Sequence, residues 1–349
     1  MGKIHLTDII GNASINTQIM VAHGAARLHN QAMGHLMFAG AAGCGKTTTA
    51  QAVANLTGAE FHEVGAEGVK TAETMADLFN KFSDEGYNPI TGEIIGNINP
   101  PVIFIDEAHR LTLKSQELLG IAMENFKHTY TEGRGKSKQT VVAWVPLFTL
   151  VCATTKEGDL SKPFRDRFKF TMIFGHYSLE ESRKITRLHA KLKNLDIDDE
   201  AVEDISRRGR GTPRILVRLL DGARDITTYM KWGKITRKST EALFELQSID
   251  PVGLTETDIS ILLDLYSSDV PKGLDTLAVK TNLDPRTISD VNEPYMIKIG
   301  FIERTRGGRV ITEDGVSHLI EHGHVPPPSV EEKGSRIIHR TNIRGKRGR

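Results

Sequence analysis

Cysteine is scarce in this chain, and long apolar runs are absent. Its 349 residues include only Cys44 and Cys152, so at most one bridge could form and a disulfide-stapled secreted domain is excluded. Neither cysteine has a partner at the spacing of a zinc site. No run approaches the roughly 18 apolar residues that cross a bilayer, and the start MGKIHLTDII lacks the apolar segment of a signal peptide. We therefore expect a soluble, cytoplasmic protein that is not bound to a membrane.

Net charge is also nearly absent, at +1, but it is unevenly distributed. The last 20 residues, from Val330 to Arg349, have a net charge of +5, which leaves about −4 on the rest. A basic tail indicates either contact with a polyanion or a solvated segment that keeps the protein soluble, and composition leaves both open. The length predicts two or three domains.

Four regions differ in their patterns. Residues 1–176 alternate helical stretches with the apolar runs HLMFAG, PPVIFIDE and PLFTLVCATT, which predict an α/β domain with a buried parallel sheet and crossover helices. Residues 177–249 show only helical periodicity. Residues 250–325 predict three helices and then a hairpin at the Gly-Gly pair 307–308, the order of a winged helix. Residues 326–349, proline-rich and then basic, predict a disordered tail.

The strongest motif is a phosphate-binding loop. It follows an apolar strand, precedes a helix from Thr48 to Leu56, fits G-x-x-x-x-G-K-[ST] and reads Gly40-Ala41-Ala42-Gly43-Cys44-Gly45-Lys46-Thr47. Such a loop and the helix N-terminus surround phosphate with backbone N–H groups. The N–H of Thr48 is one of these groups. Lys46 is expected to reach the β- and γ-phosphates of ATP, and the Thr47 hydroxyl to hold Mg²⁺. Cys44 is interpreted as a neutral spacer in the loop.

A second apolar run, Val102 to Ile105, ends in Asp106 and Glu107. In open α/β sheets ligands bind at the carboxyl ends of the strands. We therefore expect Asp106 to organise the magnesium shell and Glu107 to orient or deprotonate the attacking water.

Three further segments resemble the RuvB family, AAA+ motors that drive Holliday-junction branch migration. TLVCATTKEGDLSKPFRDRF at 149–168 resembles the sensor-1 and arginine-finger region, and GRGTPRI at 209–215 resembles the sensor-2 helix. EPYMI at 293–297, with GFIERT and GRV after it, is similar to the winged-helix domain. The resemblance runs from about Ile9 to Leu319. It implies an AAA+ P-loop ATPase domain, a helical lid and a winged helix that binds DNA.

The resemblance also implies roles for individual residues. Thr155, with Thr154 beside it, is the sensor-1 residue that contacts the γ-phosphate or the water. Arg167 is the arginine finger, with Arg165 as the other candidate, and Arg214 is the sensor-2 residue that binds nucleotide. A finger of this kind neutralises transition-state charge in a neighbour's site, so the resemblance implies a homo-oligomeric ring, a hexamer.

The chain departs from the family pattern in several places. The family's segment upstream of Ile9 and Ile10 is nearly absent, so a contact of these two residues with the base is left open. Residues 88–97 are additional. The hairpin by which the family docks its partner RuvA corresponds to 126–144, but the tip here is the basic TEGRGKSK. Docking of a RuvA-like partner is therefore left open, with DNA in the ring pore or another partner protein as the alternatives for the tip.

The predicted wing is rich in arginine. Arg304, Arg306 and Arg309 cluster around the turn, which suits contact with phosphate or the minor groove. The third helix, Asp284 to Met296, contains Arg286 but also Glu293 and two aspartates, a poor composition for reading bases. We predict sequence-independent contact with the DNA backbone. The alternative is a protein–protein module.

The sequence thus predicts a RuvB-like ATPase that assembles as a ring and translocates duplex DNA, in branch migration or recombination. Two alternatives remain. One is a clamp-loader-like or initiator AAA+ switch, and the other is a nucleotide-gated DNA-binding adaptor with little turnover. Glu107 favours an enzyme over the adaptor, because an adaptor has no use for a group that activates water.

Overall fold

The computed structural model describes residues 4–82, 99–132 and 139–327. The additional segment 88–97, most of the basic hairpin tip and the tail from residue 328 onwards lie outside the described residues. Contacts divide the chain into two units, with the division between Ser239 and Thr240. Within the described ranges, no helix is both long and apolar enough to cross a membrane.

A five-stranded, fully parallel sheet forms the centre of the first unit, as predicted. Its strands are β1 (Leu36–Gly40), β2 (Phe61–Val64), β3 (Val102–Ile105), β6 (Thr149–Thr154) and β7 (Phe170–Phe174). The spatial order is β2-β3-β6-β1-β7. The three inner strands are buried almost throughout, whereas β2 and β7 are partly exposed. This explains why apolar runs reveal the inner strands but not the two edge strands.

Helices cover both faces of this sheet. Their bounds are α1 (Ala13–Leu28), α2 (Lys46–Thr57), α3 (Ala72–Phe79), α4 (Leu113–Asn125) and α5 (Lys162–Arg165). Side chains of α1 and α2 join one apolar core on one face, and those of α3 and α4 join a second core on the other. An antiparallel hairpin of β4 (Lys127–Glu132) and β5 (Gln139–Trp144) follows α4.

Four helices follow the sheet domain, in agreement with the helical region predicted for the lid. They are α6 (Leu179–Leu192), α7 (Asp199–Arg208), α8 (Pro213–Tyr229) and α9 (Arg237–Leu246). Ser178 and Glu181 form a capping box at the start of α6, and Asp198 caps α7. Pro213 occupies the first turn of α8, where a missing N–H costs nothing.

The second unit contains the winged helix. Its elements are α10 (Glu256–Tyr266), α11 (Leu274–Thr281), α12 (Pro285–Thr287), α13 (Glu293–Lys298), β8 (Ile302–Thr305), β9 (Gly308–Ile311) and α14 (Glu313–Glu321). The predicted third helix extends to Lys298 and is interrupted by a π-helical turn, Ile288–Asn292. The hairpin closes through Arg306 and Gly307. The last helix, α14, was not predicted.

His35 immediately precedes β1 and is packed as a neutral base. Its Nδ1 accepts a hydrogen bond from Leu150 N (2.9 Å), its Nε2 lies 3.4 Å from Met123 O, and its ring packs on Phe148. Burial lowers the pKa of His35 to about 4. The unfolded chain therefore takes up this proton between pH 6.5 and 4, whereas the folded protein does not, so stability is full above pH 6.5 and falls as the pH is lowered.

We expect His35 to remove about 2 kcal/mol of unfolding free energy between pH 6.5 and pH 5. Both tryptophans, Trp144 and Trp232, lie in the first unit, so urea unfolding followed by their fluorescence reports on it. His35→Gln should flatten this pH dependence. Equal pH dependence in the variant and the wild type would show that His35 is not the titrating group.

Candidate nucleotide site

The phosphate-binding loop connects β1 to α2. Gly40 has φ +146° and lies against the carbonyl of Phe174, so a side chain here would clash with the next strand. Gly45 precedes α2 and has no side chain to cap it, which leaves the first-turn N–H groups of Thr47 and Thr48 available to an anion. Both threonines are exposed. The loop thus has the geometry of a phosphate site.

Lys46 lies beneath the loop and is 6% exposed. Its ammonium donates to the carbonyls of Gly40 and Ala41, each at 2.8 Å. Burial lowers the pKa of Lys46, and the nearby charges of Asp106 and Glu107 oppose that shift. The chain therefore presents a partly desolvated cation with acidic neighbours, a combination that phosphate oxygens and a divalent cation would complete.

Asp106 and Glu107 follow β3, two strands away from β1 in the sheet. Asp106 Oδ1 accepts a hydrogen bond from Glu107 N at 2.9 Å. Glu107 has the left-handed φ of +51°, which is costly for a side chain of this size and is found where a site requires it. The residue begins a short 3₁₀ turn, Ala108–Arg110.

The Thr47 hydroxyl and the Asp106 carboxylate are oxygen donors of the type that Mg²⁺ prefers. Across the described ranges, no group of three or more His, Cys, Asp or Glu could hold a metal ion. A few protein oxygens fit Mg²⁺ better than a transition metal, because Mg²⁺ keeps several waters and takes phosphate oxygens as ligands.

The end of β6, between β3 and β1, holds the predicted sensor. Thr154 is fully buried, and its Oγ1 lies 3.2 Å from His109 Nδ1 and accepts from Lys156 N at 3.0 Å. Thr155 is exposed at the tip of this turn. The structure thus places the P-loop, the acidic pair and the predicted sensor after three neighbouring strands.

The lid packs directly on the loop. Gly43 has φ +78°, and a Cβ on it would lie 2.7 Å from Arg214 Cβ in the first turn of α8. The backbone N–H of Arg214 donates to Gly43 O at 3.4 Å. The Arg214 side chain is exposed. A glycine is required at position 43 both by its backbone angle and by the closeness of the lid.

Tyr177 joins three segments around the loop. Its hydroxyl donates to Cys44 O (3.1 Å) and accepts from Asn12 Nδ2 (2.8 Å), and its N–H donates to Gly211 O (2.9 Å). Burial raises the pKa of Tyr177 to about 12, so the phenol keeps its proton as a donor. The Cys44 side chain is fully buried in the core beneath the loop, so this position of the loop also packs against the sheet domain.

The N-terminal segment reaches this tyrosine. Ile9 packs on the core under the sheet, Ile10 is half-buried, and Gly11, with φ +74°, lies against the ring of Tyr177. Ile9 and Ile10 therefore adjoin, along the chain, the glycine that packs on the tyrosine that contacts the P-loop.

Arg167 lies at the surface after α5 and is held by its own chain. It donates to Pro163 O (2.6 Å) and to Glu124 Oε2 (3.0 Å) near the end of α4. Its guanidinium rests on Gly120, where a Cβ would lie 3.0 Å from Nε. The other candidate, Arg165, lies 3.9 Å from Glu157.

Two wing arginines bind a buried carboxylate. Glu293 Oε1 accepts from Nε of Arg304 (2.7 Å) and of Arg309 (2.8 Å), and its Oε2 accepts from Nη2 of each. Burial alone raises the pKa of Glu293, but the hydrogen bonds from Arg304 and Arg309 outweigh it and hold the pKa below its usual range. Glu293 is therefore a buried, paired carboxylate and not one of the exposed acidic side chains of this helix. Arg306 lies exposed in the turn.

Sequence reasoning missed Tyr177, His109, Glu124 and the pairing of Glu293. His109 follows the acidic pair by two residues, which is a usable local signal. Tyr177 comes shortly after the last strand of the sheet, β7, which is a weaker local signal. Glu124 and Glu293 meet their arginines through tertiary packing, for which the chain offers no local pattern.

Comparison with known proteins is consistent across the chain. Three family models match, described as the Holliday junction DNA helicase RuvB P-loop domain (residues 3–174), the RuvB AAA lid domain (177–250) and the RuvB C-terminal winged helix domain (251–320). Holliday junction branch migration complex subunit RuvB 2 of a Synechococcus strain is 36% identical over 326 residues, which are 93% of this chain and 84% of that protein. The RuvB subunit of Kosmotoga olearia is 34% identical, with 90% and 88% covered. The solved Thermotoga maritima RuvB Holliday junction branch migration motor superposes with a TM-score of 0.75 at 31% identity, covering 93% of this chain and 98% of that one.

Gly43→Ala should weaken nucleotide binding by about tenfold or more, because the left-handed angle costs about 1–2 kcal/mol and the new methyl group meets Arg214. Titration with a fluorescent ATP analogue measures this. Gly24→Ala is the matched control, since Gly24 lies in α1 with open space around it, and it should raise stability by about 0.5–1 kcal/mol without affecting binding. Unchanged affinity in Gly43→Ala would contradict the proposed packing of loop on lid.

Proposed function

The chain belongs to the RuvB family, and from that membership we propose that it is an ATP-hydrolysing DNA motor that drives branch migration of Holliday junctions. The motor has an AAA+ P-loop domain, a lid and a C-terminal winged helix. We take 1–176, 177–249, 250–325 and 326–349 as the domains and the tail.

One observation supports this function above all others. Lys46, the acidic pair 106–107 and the sensor threonines follow β1, β3 and β6, which lie side by side and end at the same edge of the sheet. A binding module needs only the loop. A group positioned to activate water, next to the loop and a sensor, is the arrangement of a hydrolase.

ATP binds with its phosphates on the loop and the first turn of α2, and Lys46 leaves its carbonyl partners for the β- and γ-phosphates. Thr47 and Asp106 would hold Mg²⁺, which would supply positive charge to the phosphate oxygens. Glu107 orients and deprotonates the attacking water. Thr155, exposed beside it, contacts the γ-phosphate.

Arg167 completes the site of a neighbouring subunit in a ring. Its guanidinium lies against Glu124 at the surface, so it must exchange this carboxylate for the neighbour's γ-phosphate. A charge-assisted contact with the transferring phosphoryl group stabilises the transition state by far more than a surface ion pair stabilises the fold. The ring is therefore required for turnover. A hexamer is the state that the family resemblance implies.

Arg214 reports the nucleotide state to the lid. It lies in the first turn of α8, next to Gly43 of the loop, and its exposed guanidinium can reach the nucleotide. Lid rotation is passed along the chain to the winged helix, which then moves along the DNA backbone. Ile9 and Ile10, close to Tyr177, contribute to the base pocket.

The wing contacts DNA through phosphates and not through bases. Arg306 makes the principal contact, because it alone of the three wing arginines lies in the turn itself. Glu293 uses two nitrogens of Arg304 and of Arg309. Arg304 is 55% exposed and Arg309 is 18% exposed, so Arg304 adds a weaker phosphate contact and Arg309 mainly holds the hairpin in place. The hairpin of β4 and β5 is the candidate face for a partner protein or for DNA.

We expect the wild type to hydrolyse ATP faster on DNA and to move a four-way junction continuously. Glu107→Gln should lower the ATPase rate by about 10²–10⁴-fold while nucleotide binding persists, because only the water-activating group is removed. ATPase rate, analogue binding and junction migration are measured together. An AAA+ switch would hydrolyse ATP without continuous migration, and an adaptor would hydrolyse little in either form. Either result would refute the motor.

Arg306→Ala should reduce the slope of log affinity against log salt by about one for each phosphate that the side chain no longer neutralises, equally on unrelated duplex sequences. The melting temperature should not change, since Arg306 is exposed. Arg309→Ala is the contrasting variant. It removes one of the two partners of a buried carboxylate and should destabilise the second unit. An Arg306 variant with wild-type salt dependence would exclude the turn from the DNA interface.

A further inference from the structure

A chain of polar contacts links the acidic pair to the sensor turn through His109. Its Nε2 lies 3.2 Å from Glu107 Oε2, and its Nδ1 lies 3.2 Å from Thr154 Oγ1. Thr154 Oγ1 in turn accepts the N–H of Lys156 at 3.0 Å. The chain thus runs from the end of β3 across to the end of β6, and it encloses Thr155 between its last two members.

One neutral tautomer satisfies every contact in this chain. The Lys156 N–H donates to Thr154 Oγ1, the Thr154 hydroxyl donates to His109 Nδ1, and a proton on Nε2 faces the Glu107 carboxylate. Glu107 then only accepts, so its other carboxylate oxygen remains able to take a proton from water. The imidazole is 16% exposed and Glu107 is 34% exposed. The histidine is therefore enclosed, while the carboxylate is partly accessible to solvent.

We propose that His109 is a positioning residue that couples Glu107 to the sensor turn, so that movement of Thr155 at the γ-phosphate reorients the water-activating carboxylate. This inference rests on the proposed ATPase function. Glu107 has a left-handed φ and stands just before a short 3₁₀ turn. The backbone at this point does not fix the orientation of its carboxylate, which needs a side-chain partner. His109, in the same turn, supplies the side-chain contact.

The coupling has a direct structural reason. Thr154 Oγ1 closes a tight turn on Lys156 N, with Thr155 at its tip. A shift of Thr155 towards phosphate changes this turn and therefore the position of Oγ1. Because Oγ1 is the partner of Nδ1, the imidazole follows, and its Nε2 moves against Glu107. Contacts of this kind commonly shorten when the reacting complex forms.

His109→Phe keeps a ring of similar size but removes both contacts. We expect kcat for DNA-stimulated ATP hydrolysis to fall by about 10–100-fold, as for a misplaced catalytic group. KM for ATP should change by less than about twofold, and the melting temperature should stay at the wild-type value. Thr154→Val should also lower kcat, and Thr154→Ser, which keeps the hydroxyl, should restore it. The double variant His109→Phe/Thr154→Val should be no slower than the slower single variant, because both break one chain.

His62→Phe is the matched control. His62 contacts Glu60 at 3.1 Å in an ordinary surface pair outside the site, and its removal should leave kcat unchanged. Wild-type kcat in His109→Phe, or losses that multiply in the double variant, would overturn the coupling.

If His109→Phe fails to fold, the two Thr154 variants decide. Equal rates in Thr154→Val and Thr154→Ser would overturn the coupling, whereas a slow Thr154→Val with a normal Thr154→Ser would support it. Glu107→Gln in the same assay separates the two claims. If Glu107→Gln is inactive and His109→Phe is fully active, the proposed coupling is refuted and the proposed motor function stands.

Discussion

Three neighbouring parallel strands end at one edge of the sheet, and the site depends on this constraint. β3, β6 and β1 lie side by side, fully paired and buried on both faces. The residues that follow them therefore cannot move apart without breaking the core. Lys46, Asp106 and Thr154 are held together in this way, although some 50 residues of chain separate each from the next. Loops that bind phosphate gain their precision from such a rigid support.

Four cations of the proposed motor have oxygen partners within the chain itself. Lys46 donates to loop carbonyls, Arg167 to Glu124, and two wing arginines share Glu293. A phosphate therefore competes with these oxygens for each cation and does not simply fill an empty place. Exchange is easiest where the carboxylate is exposed, as at Glu124, the partner of Arg167, and hardest at the buried Glu293. This difference in ease of exchange suits an arginine finger, Arg167, that moves and a wing hairpin that stays fixed on Glu293.

The sequence predicts the inner strands, the phosphate loop and the acidic pair because each has a local pattern, such as an apolar run before Gly40 or before Asp106. The edge strands β2 and β7 are not predicted, because their half-exposed residues interrupt the apolar run. The composition of the third helix of the winged helix does not reveal the pairing of Glu293, whose partners lie 11 and 16 residues further on. Only packing brings such residues together. Similarly, nothing near Tyr177 in the chain indicates that its hydroxyl meets the P-loop.

The central claim is that two subunits build each nucleotide site, one with Lys46 and the acidic pair and the other with an arginine. Cryo-electron microscopy of the protein with a non-hydrolysable ATP analogue and a four-way junction tests it most directly. We expect a closed ring in which Arg167 has left Glu124 and contacts the γ-phosphate of the adjacent subunit. Monomers under all conditions, or a ring in which every Arg167 stays on its own Glu124, would contradict the account.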